Sequence, residues 1–394
     1  GGGGGGGREQ SSGRGTASLG NSTMPMQQGA QSLESPMQQF TELLSNFWSL
    51  VAPHFAIVVL ASGFLLRRFQ PHVSPLYLGT WALALTNRSS GALKKMSWVF
   101  ATLAVVSFIN TSRIDQIIPI EATGSNYALV TGASSGIGKQ IAKELGSRGY
   151  NLILVARRED KMAELAADLT GKFGVSSVLI PIDLSAPEAA AAIFKQVTDK
   201  NLQVDILVNN AGFTWVGDME EMPIGKIQDM TMVNSVTPTK LLRLFGEAMS
   251  ANGKGRILMV SSIASVPVPS VDVYAASKAF LSTVCQSAQY TLMQKGVGVT
   301  CAMPGAVTET DFEREDAHMS SRPLVFTLPF PGFTDTSDRV AKKLVQAMLR
   351  GDAVYSPGFM NSLYVNILTQ IFPKHLLYRC SEIMWLPDPT GILR

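Results

Sequence analysis

The sequence predicts an α/β protein: a doubly wound parallel sheet covered by helices on both faces, preceded by an apolar, membrane-associated helical region. Three observations lead there. Beyond Ser125, short apolar runs alternate with stretches of helical periodicity, the pattern of βα units whose strands lie parallel. A glycine-spaced turn, Thr131-Gly132-Ala133-Ser134-Ser135-Gly136-Ile137-Gly138, directly follows the first of these runs and opens a helical pattern, as in sheets of the Rossmann type. Upstream, the twenty residues from Phe47 to Leu66 contain no Lys, Arg, Asp or Glu, enough helix to cross roughly 30 Å of hydrocarbon.

Taken in order, residues 1–40 are rich in Gly, Ser and Gln and begin with seven glycines rather than Met, as a fragment would. Such a stretch holds too little apolar surface for a core and is expected to be disordered. The stretch is poor in acidic residues, which suits a targeting segment, but Arg8 and Arg14 are too few to mark it as a transit peptide. Residues 41–120 form the expected membrane-associated region, with 47–66 as a transmembrane helix flanked by Trp48 and by Arg67-Arg68. Leu76–Leu85 and Met96–Ile109 are short for complete spans and suit tilted, re-entrant or interfacial segments, with Lys94-Lys95 between them facing an anionic surface. Arg67, Arg68, Arg88, Lys94 and Lys95 all follow the first span, which places its C-terminal side in the cytosol. A third span ending at Ile109 would reverse that unless the second stretch also crosses.

Residues 125–394 make up the expected catalytic domain. Its strands are expected at 126–131, 151–156, 177–182, 204–209, 255–261 and 297–303, six βα units in one doubly wound domain. Between the first two, Ile137, Ile141 and Leu145 recur at helical spacing and Gly149 ends the helix. Net charge is +3 and no basic run interleaves with aromatics, so a nucleic-acid partner has little support. Cys285, Cys301 and Cys380 are few and odd in number, which argues against a disulfide framework or a zinc site. His54, His72, His318 and His375 lie far in sequence from the motifs below, which disfavours hydrolase triads and metal chemistry.

The chemistry is carried by two motifs about 140 residues apart. Gly132, Gly136 and Gly138 permit a tight turn and close backbone approach to a pyrophosphate at a helix N-terminus. Nineteen residues beyond Gly138 stands Arg157, where an enzyme using NAD would offer an acid to the ribose hydroxyl; an arginine there pairs with a 2′-phosphate, so NADP(H) is the expected cofactor. The second motif, Tyr274-Ala275-Ala276-Ser277-Lys278, sets a phenol and an ammonium one helical turn apart. A close cation favours the phenolate and should lower its pKa towards the working range of an acid/base group.

With Asp183-Leu184, Asn209-Asn210-Ala211-Gly212, Asn234, Ser261-Ser262 and Pro304-Gly305 falling in order between and after these motifs, residues 125–315 resemble the short-chain dehydrogenase/reductase superfamily. The likeness extends to membrane-bound 3-oxoacyl and 17β-hydroxysteroid reductases. It implies Tyr274 as acid/base, Lys278 holding the nicotinamide ribose, Asn234 supporting a relay water and Ser262 bonding the substrate oxygen. It further implies cofactor contacts from Ser134, Ser135, Ile137, Asp183, Asn210, Ala211, Gly212, Tyr274, Lys278, Pro304, Gly305, Val307 and Thr310, and no metal. Two departures stand out. Relatives separate the Ser and Tyr by thirteen positions, whereas Ser262 precedes Tyr274 by twelve; strand alternation favours Ser262 over Ser261, with the loop through Pro267 and Pro269 absorbing the lost residue. The family's Thr after Pro304-Gly305 falls at Glu309, and a one-residue insertion moves it to Thr310, with Thr308 as its rival.

Substrate selection is expected in the apolar segment 311–337, which contains Phe312, Leu324, Phe326, Phe330 and Phe333. The stretch Leu363–Leu377 is expected to pack on the sheet rather than dock on the membrane. The expected activity is NADPH-dependent reduction of a lipophilic ketone or 3-oxoacyl group, or oxidation of the matching alcohol. The expected site is the endoplasmic reticulum membrane with the catalytic domain cytosolic, a plastid or other organelle membrane being the alternative; a homodimer is left open. A catalytically silent NADP(H)-binding sensor or scaffold is the rival reading, opposed by the complete Ser, Asn, Tyr and Lys set.

Overall fold

A computed structural model describes residues 120–310, 334–369, 375, 377 and 378. The expected disordered stretch, the three apolar runs before residue 110, and residues 311–333 of the substrate segment lie outside them. Among the described residues no helix is long and apolar enough to cross a membrane.

The strands are β1 (Tyr127–Thr131), β2 (Asn151–Ala156), β3 (Ser177–Pro181), β4 (Val204–Asn209), β5 (Gly255–Val260), β6 (Val297–Ala302), β7 (Ala306–Thr308), β8 (Thr334–Thr336) and β9 (Val354–Tyr355). Seven of them form one sheet in the order β3-β2-β1-β4-β5-β6-β9. The six expected strands are present, each within a residue of the expected bounds. The seventh, β9, was not expected: it is two residues long, too short for periodicity, and it pairs in parallel with the end of β6 through Cys301↔Val354 and Ala302↔Tyr355. A separate parallel pair joins β7 and β8, with Val307 opposite Asp335.

The helices are α1 (Gly136–Ser147), α2 (Glu159–Phe173), α3 (Ala189–Asp199), α4 (Ile224–Thr231), α5 (Thr237–Ala251), α6 (Asp272–Met293), α7 (Ser337–Arg350) and α8 (Phe359–Leu363). On one sheet face α1, α2 and α7 bury Ile141, Leu145, Met162, Leu165, Val340 and Leu344 against β1, β2 and β5 side chains. On the other, α3, α5 and α6 bury Ile193, Val197, Leu241, Phe245, Leu281 and Cys285. The i, i+3 and i, i+4 spacing of these residues is what lets each helix present one apolar stripe. Burial on both faces also explains why β2, β4, β5 and β6 read as continuous apolar runs rather than alternating ones.

The domain is already tied down five residues ahead of the expected boundary at 125. Tyr150 Oη donates to the Ile120 carbonyl at 2.7 Å, and Asn126 Nδ2 to that of Glu121 at 3.0 Å. At the opposite edge of the motif, Gly149 has φ +88°, the left-handed conformation with which a glycine ends a helix, so α1 stops where the sequence places its stop.

The winding reverses between β1 and β4, since β2 and β3 lie on one side of β1 and β4 to β6 on the other. Ligands in such sheets bind in the crevice outside the C-terminal strand ends at this reversal. The loops after β1, β2, β3, β4, β5 and β6 all open there, and they carry the residues that the sequence singles out.

Candidate active site

The glycine loop is a close-packed cradle. Thr131 Oγ1 donates to the Val208 carbonyl at 3.2 Å and accepts from the backbone N–H groups of Asn210 and Ala211 at 3.0 and 3.1 Å. Asn210 Nδ2 in turn donates to the Thr131 carbonyl at 3.0 Å. This lock clamps the end of β4 onto the end of β1. A Cβ on Gly132 would lie 2.8 Å from Asn210 Nδ2, and one on Gly138 would overlap the Gly132 carbonyl. Both positions therefore require glycine for space, and Gly132 also for its φ of +68°. Gly136 has φ +51°, and a Cβ there would meet Thr310 at 3.2 Å, so Thr310 covers the loop. Ser134, Ser135 and Ile137 are partly buried along it.

At the end of β2, both arginines are exposed. Arg158 reaches the glycine loop: Nη2 donates to Ser135 Oγ at 2.9 Å and to Ser134 Oγ at 3.1 Å. Asp183 is exposed beyond β3 and accepts from the N–H and hydroxyl of Ser185, both at 2.9 Å, a local turn that holds the carboxylate at the crevice rim.

The Tyr274 and Lys278 side chains share the buried face of α6, 7% and 3% exposed. The Ser262 hydroxyl hydrogen-bonds the Tyr274 phenol and accepts from the Ala264 N–H at 3.1 Å. Ser261 points the other way: its Oγ donates to the Lys278 carbonyl at 2.8 Å and lies 2.7 Å from Ser282 Oγ. Adjacent residues thus divide the work by strand alternation, Ser262 towards the phenol and Ser261 bolting the strand end to α6.

Asn234 lies in a π-helical segment, Met232–Val236, between α4 and α5, a local widening common at functional sites. Its side chain is fully buried. Oδ1 accepts from the Phe213 N–H at 3.1 Å, and Nδ2 donates to the Phe213 carbonyl at 2.9 Å and to Ser277 Oγ at 3.1 Å. Ser277 Oγ donates to the Tyr274 carbonyl at 2.7 Å. Asn234 therefore ties the loop after β4 to the turn of α6 that bears Tyr274. Asn209 holds a structural post, donating to the Pro238 carbonyl at 3.1 Å.

The electrostatics correct one expectation. Rather than the cation lowering the phenol, burial pushes the Tyr274 pKa up to about 12, opposed by the Ser262 hydrogen bond. Burial likewise pulls the Lys278 pKa down to about 8, opposed by electrostatic attraction to Cys301. Lys278 Nζ donates to the Val260 carbonyl at 2.9 Å and lies 5.8 Å from the Tyr274 ring centroid. Desolvation by burial is the largest cause of both shifts.

After β6, the Pro304 carbonyl accepts from the Ile263 N–H at 3.0 Å, joining this loop to the one after Ser262, and Gly305 is partly buried beside it. Val307 is buried within β7. Glu309 has φ +63°: the extra residue sits as a left-handed kink between Thr308 and Thr310, and Thr310 comes to rest on Gly136. Thr308 instead pairs with Thr336 in β8.

The site fits a nicotinamide dinucleotide. A Cβ on Gly212 would fall 3.1 Å from both Lys278 Nζ and Asn234 Oδ1, so the missing side chain leaves the ammonium approachable, and the cradle at Gly132–Gly138 lies at the N-terminus of α1.

A family model described as short chain dehydrogenase matches residues 126–321. The chain is 29% identical over 222 residues to the very-long-chain 3-oxoacyl-CoA reductase of Bos taurus, covering 54% of this chain and 67% of that protein. It is 30% identical over 227 residues to hydroxysteroid dehydrogenase-like protein 1 of Gallus gallus, covering 57% of this chain and 68% of that one. The chain belongs to the short-chain dehydrogenase family. It is accordingly a nicotinamide-dependent oxidoreductase. Among solved structures, a short-chain dehydrogenase from Sphingobium yanoikuyae in complex with NADPH superposes with a TM-score of 0.56 at 25% identity, over 68% of this chain and 99% of that one. The curated relatives are matched over 55% to 68% of their own length.

Several residues that build this dehydrogenase site escape sequence reasoning. Arg158 could have been found, since it neighbours Arg157, but its reach to Ser134 and Ser135 depends on the strand's last twist. Thr131 has a legible signal as the first residue of the glycine motif. Ser277 and Ser282 follow Tyr274 on the buried face at helical spacing and read as ordinary small core residues.

The cradle geometry generates a test. Gly138→Ala should weaken nicotinamide dinucleotide binding by more than about tenfold, because the methyl group forces the Gly132 carbonyl or Asn210 out of place. Gly171→Ala, with nothing within 4 Å of the added methyl, should leave it unchanged. Calorimetry with both variants checks the pair, and equal affinities would contradict the close-packed cradle.

Proposed function

We propose that this chain is an NADP(H)-dependent reductase that converts a lipophilic ketone, in first place a 3-oxoacyl thioester, into the secondary alcohol at a membrane surface. One observation carries the reading: a phenol buried among apolar side chains, hydrogen-bonded by Ser262, with a buried ammonium behind its ring and the glycine cradle at the neighbouring strand end. Held by the glycine cradle and Lys278, a bound cofactor would supply the hydride for the carbonyl carbon. Ser262 holds the carbonyl oxygen in line, and Tyr274 Oη gives that oxygen a proton as negative charge develops on it. Lys278, largely protonated at neutral pH, stabilises the phenolate left behind and bonds the ribose. Asn234 and Ser277 hold α6 in register so that these groups meet one oxygen.

Arg157 and Arg158 support the preference for a 2′-phosphate, Arg158 through its position on Ser134 and Ser135. The names of the reductase relatives support a 3-oxoacyl substrate. The uncharged run 47–66 supports a membrane anchor.

Tyr274→Phe should abolish turnover while leaving NADPH affinity within about twofold, since it removes the donor and keeps the ring. The pH profile of kcat/KM carries a sign. The phenol, near 12, stays protonated throughout, whereas the Lys278 ammonium is lost above about 8. Reduction should therefore be level below about pH 7 and decline above about pH 8. A flat profile to pH 10, or an active Tyr274→Phe protein, would show that other groups carry the proton.

For cofactor choice, Arg157→Asp and Arg158→Ala should each weaken NADPH about 10- to 100-fold and leave NADH less affected, the range for losing a charge-assisted hydrogen bond. Titration of the unmodified protein giving tighter NADH than NADPH binding refutes the assignment.

The full chain should stay with membranes through alkaline carbonate and high salt. A shortened chain lacking residues 1–114, which keeps Ile120 and Glu121, should be far more soluble and still bind NADPH. Release of the full chain by carbonate would reduce 47–66 to an interfacial segment.

A further inference from the structure

Beside Tyr274 lies a third apolar cluster, separate from the two sheet-face cores. It gathers Met222, Met230, Ala264, Val268, Val271 and Tyr274 itself, with Phe213 and Trp215 packed against it. Two loops, the one after β4 and the one between Ser262 and α6, contribute most of it, with Met230 from α4 and Tyr274 from α6, and the first loop is tied down at two points. Asn234 fixes Phe213 by its backbone N–H and carbonyl. Four residues on, the Gly217 N–H donates to the Ser270 carbonyl at 2.9 Å, and Ser270 stands four residues before Tyr274 with φ +65°. Trp215 lies between these two ties. Gly217 has φ +152°, and a Cβ there would come within 2.6 Å of Trp215 Cη2 and 3.1 Å of Cζ2 and Cζ3. The indole is thus seated flush on the glycine backbone.

We infer that Trp215 is a specificity-determining residue of the proposed reductase. Its clamped ring forms a rigid apolar wall beside the phenol that admits a slim, unbranched chain at the carbonyl and turns away bulky groups. This rests on the ketone-reductase reading above. A Trp spends only two side-chain torsions on a large apolar face, and here the glycine seat and the two loop ties leave those torsions little freedom. A wall that cannot yield discriminates by width, and a difference of one methylene in such a pocket changes kcat/KM by about 10- to 200-fold. A mere plug of the loop would instead stabilise the fold and affect all ketones alike.

The full chain, purified in mild detergent, is assayed with NADPH against 2-decanone and benzophenone. The unmodified enzyme should prefer 2-decanone. Trp215→Ala should raise the benzophenone-to-2-decanone ratio of kcat/KM at least about tenfold, and Trp215→Phe should stay near the starting ratio. Gly217→Ala, which unseats the ring while keeping it, should move the ratio the same way, and decides the matter if Trp215→Ala does not fold. NADPH affinity should stay within about twofold in all three, because none of these residues lies in the cradle. Unchanged ratios, a parallel loss of both ketones, or a starting preference for benzophenone overturns the inference while leaving the reductase reading intact. If the unmodified enzyme reduces neither ketone nor any 3-oxoacyl thioester, that reading falls and this one with it.

Discussion

Tyr274 and Lys278 lie one turn apart on a helix face that is buried at the C-terminal edge of a sheet, and burial acts against the charged form of each. Keeping the Lys278 ammonium there costs on the order of 3 kcal/mol, from a pKa drawn down from 10.5 to about 8. That penalty is in force below pH about 8 and is relieved as pH climbs through 10.5, above which the group is neutral whether folded or not. The surrounding hydrogen bonds offset it. Val260 takes the ammonium, Ser261 and Ser282 bolt the helix to the strand end, and Asn234 holds it through Ser277. Without these ties α6 would be free to rotate its polar groups outwards, and the phenol would lose its partner Ser262.

Much of this was legible because it follows from periodicity. Strand runs buried on both faces, a glycine motif between strand and helix, and the odd-even alternation that separates Ser261 from Ser262 are one-dimensional signals of three-dimensional facts. The ties themselves were not. Ser277 and Ser282 look like any small core residue, the reach of Arg158 to the glycine loop depends on the twist that aims it, and β9 is too short to carry a pattern. Asn234 was legible as a residue but not in its task, because the pairing of its amide with Phe213 depends on a π-turn that no local preference announces. The expected dominance of the cation over the phenol failed for a related reason: spacing on a helix reports proximity, whereas desolvation depends on everything packed around the pair.

Both departures from the family's spacing are absorbed in the same way. The loop shortened before Tyr274 carries its strain at Ser270, and the loop lengthened after β6 carries it at Glu309; both adopt left-handed backbone, at a cost of order 1 kcal/mol or more for a residue with a Cβ. Among the described residues only Asn201 shares that conformation without being glycine. Concentrating each length change in one kinked residue leaves the flanking groups in place. Ser262 still meets the phenol across a loop one residue short, and Thr310 still covers Gly136 despite the insertion.

The same burial sets the resting state of the phenol. Desolvation holds Tyr274 in its protonated form, its pKa raised to about 12, so the resting site offers a proton donor. The proposed reduction uses that donor directly. Oxidation runs the same transfer backwards from the phenolate, and in both directions the charge on the phenol faces the Lys278 ammonium, 5.8 Å from the ring centroid. Holding Lys278 on the Val260 carbonyl fixes that distance. The tie that secures the helix therefore also sets how strongly the ammonium steadies the phenolate, whichever way the proton moves.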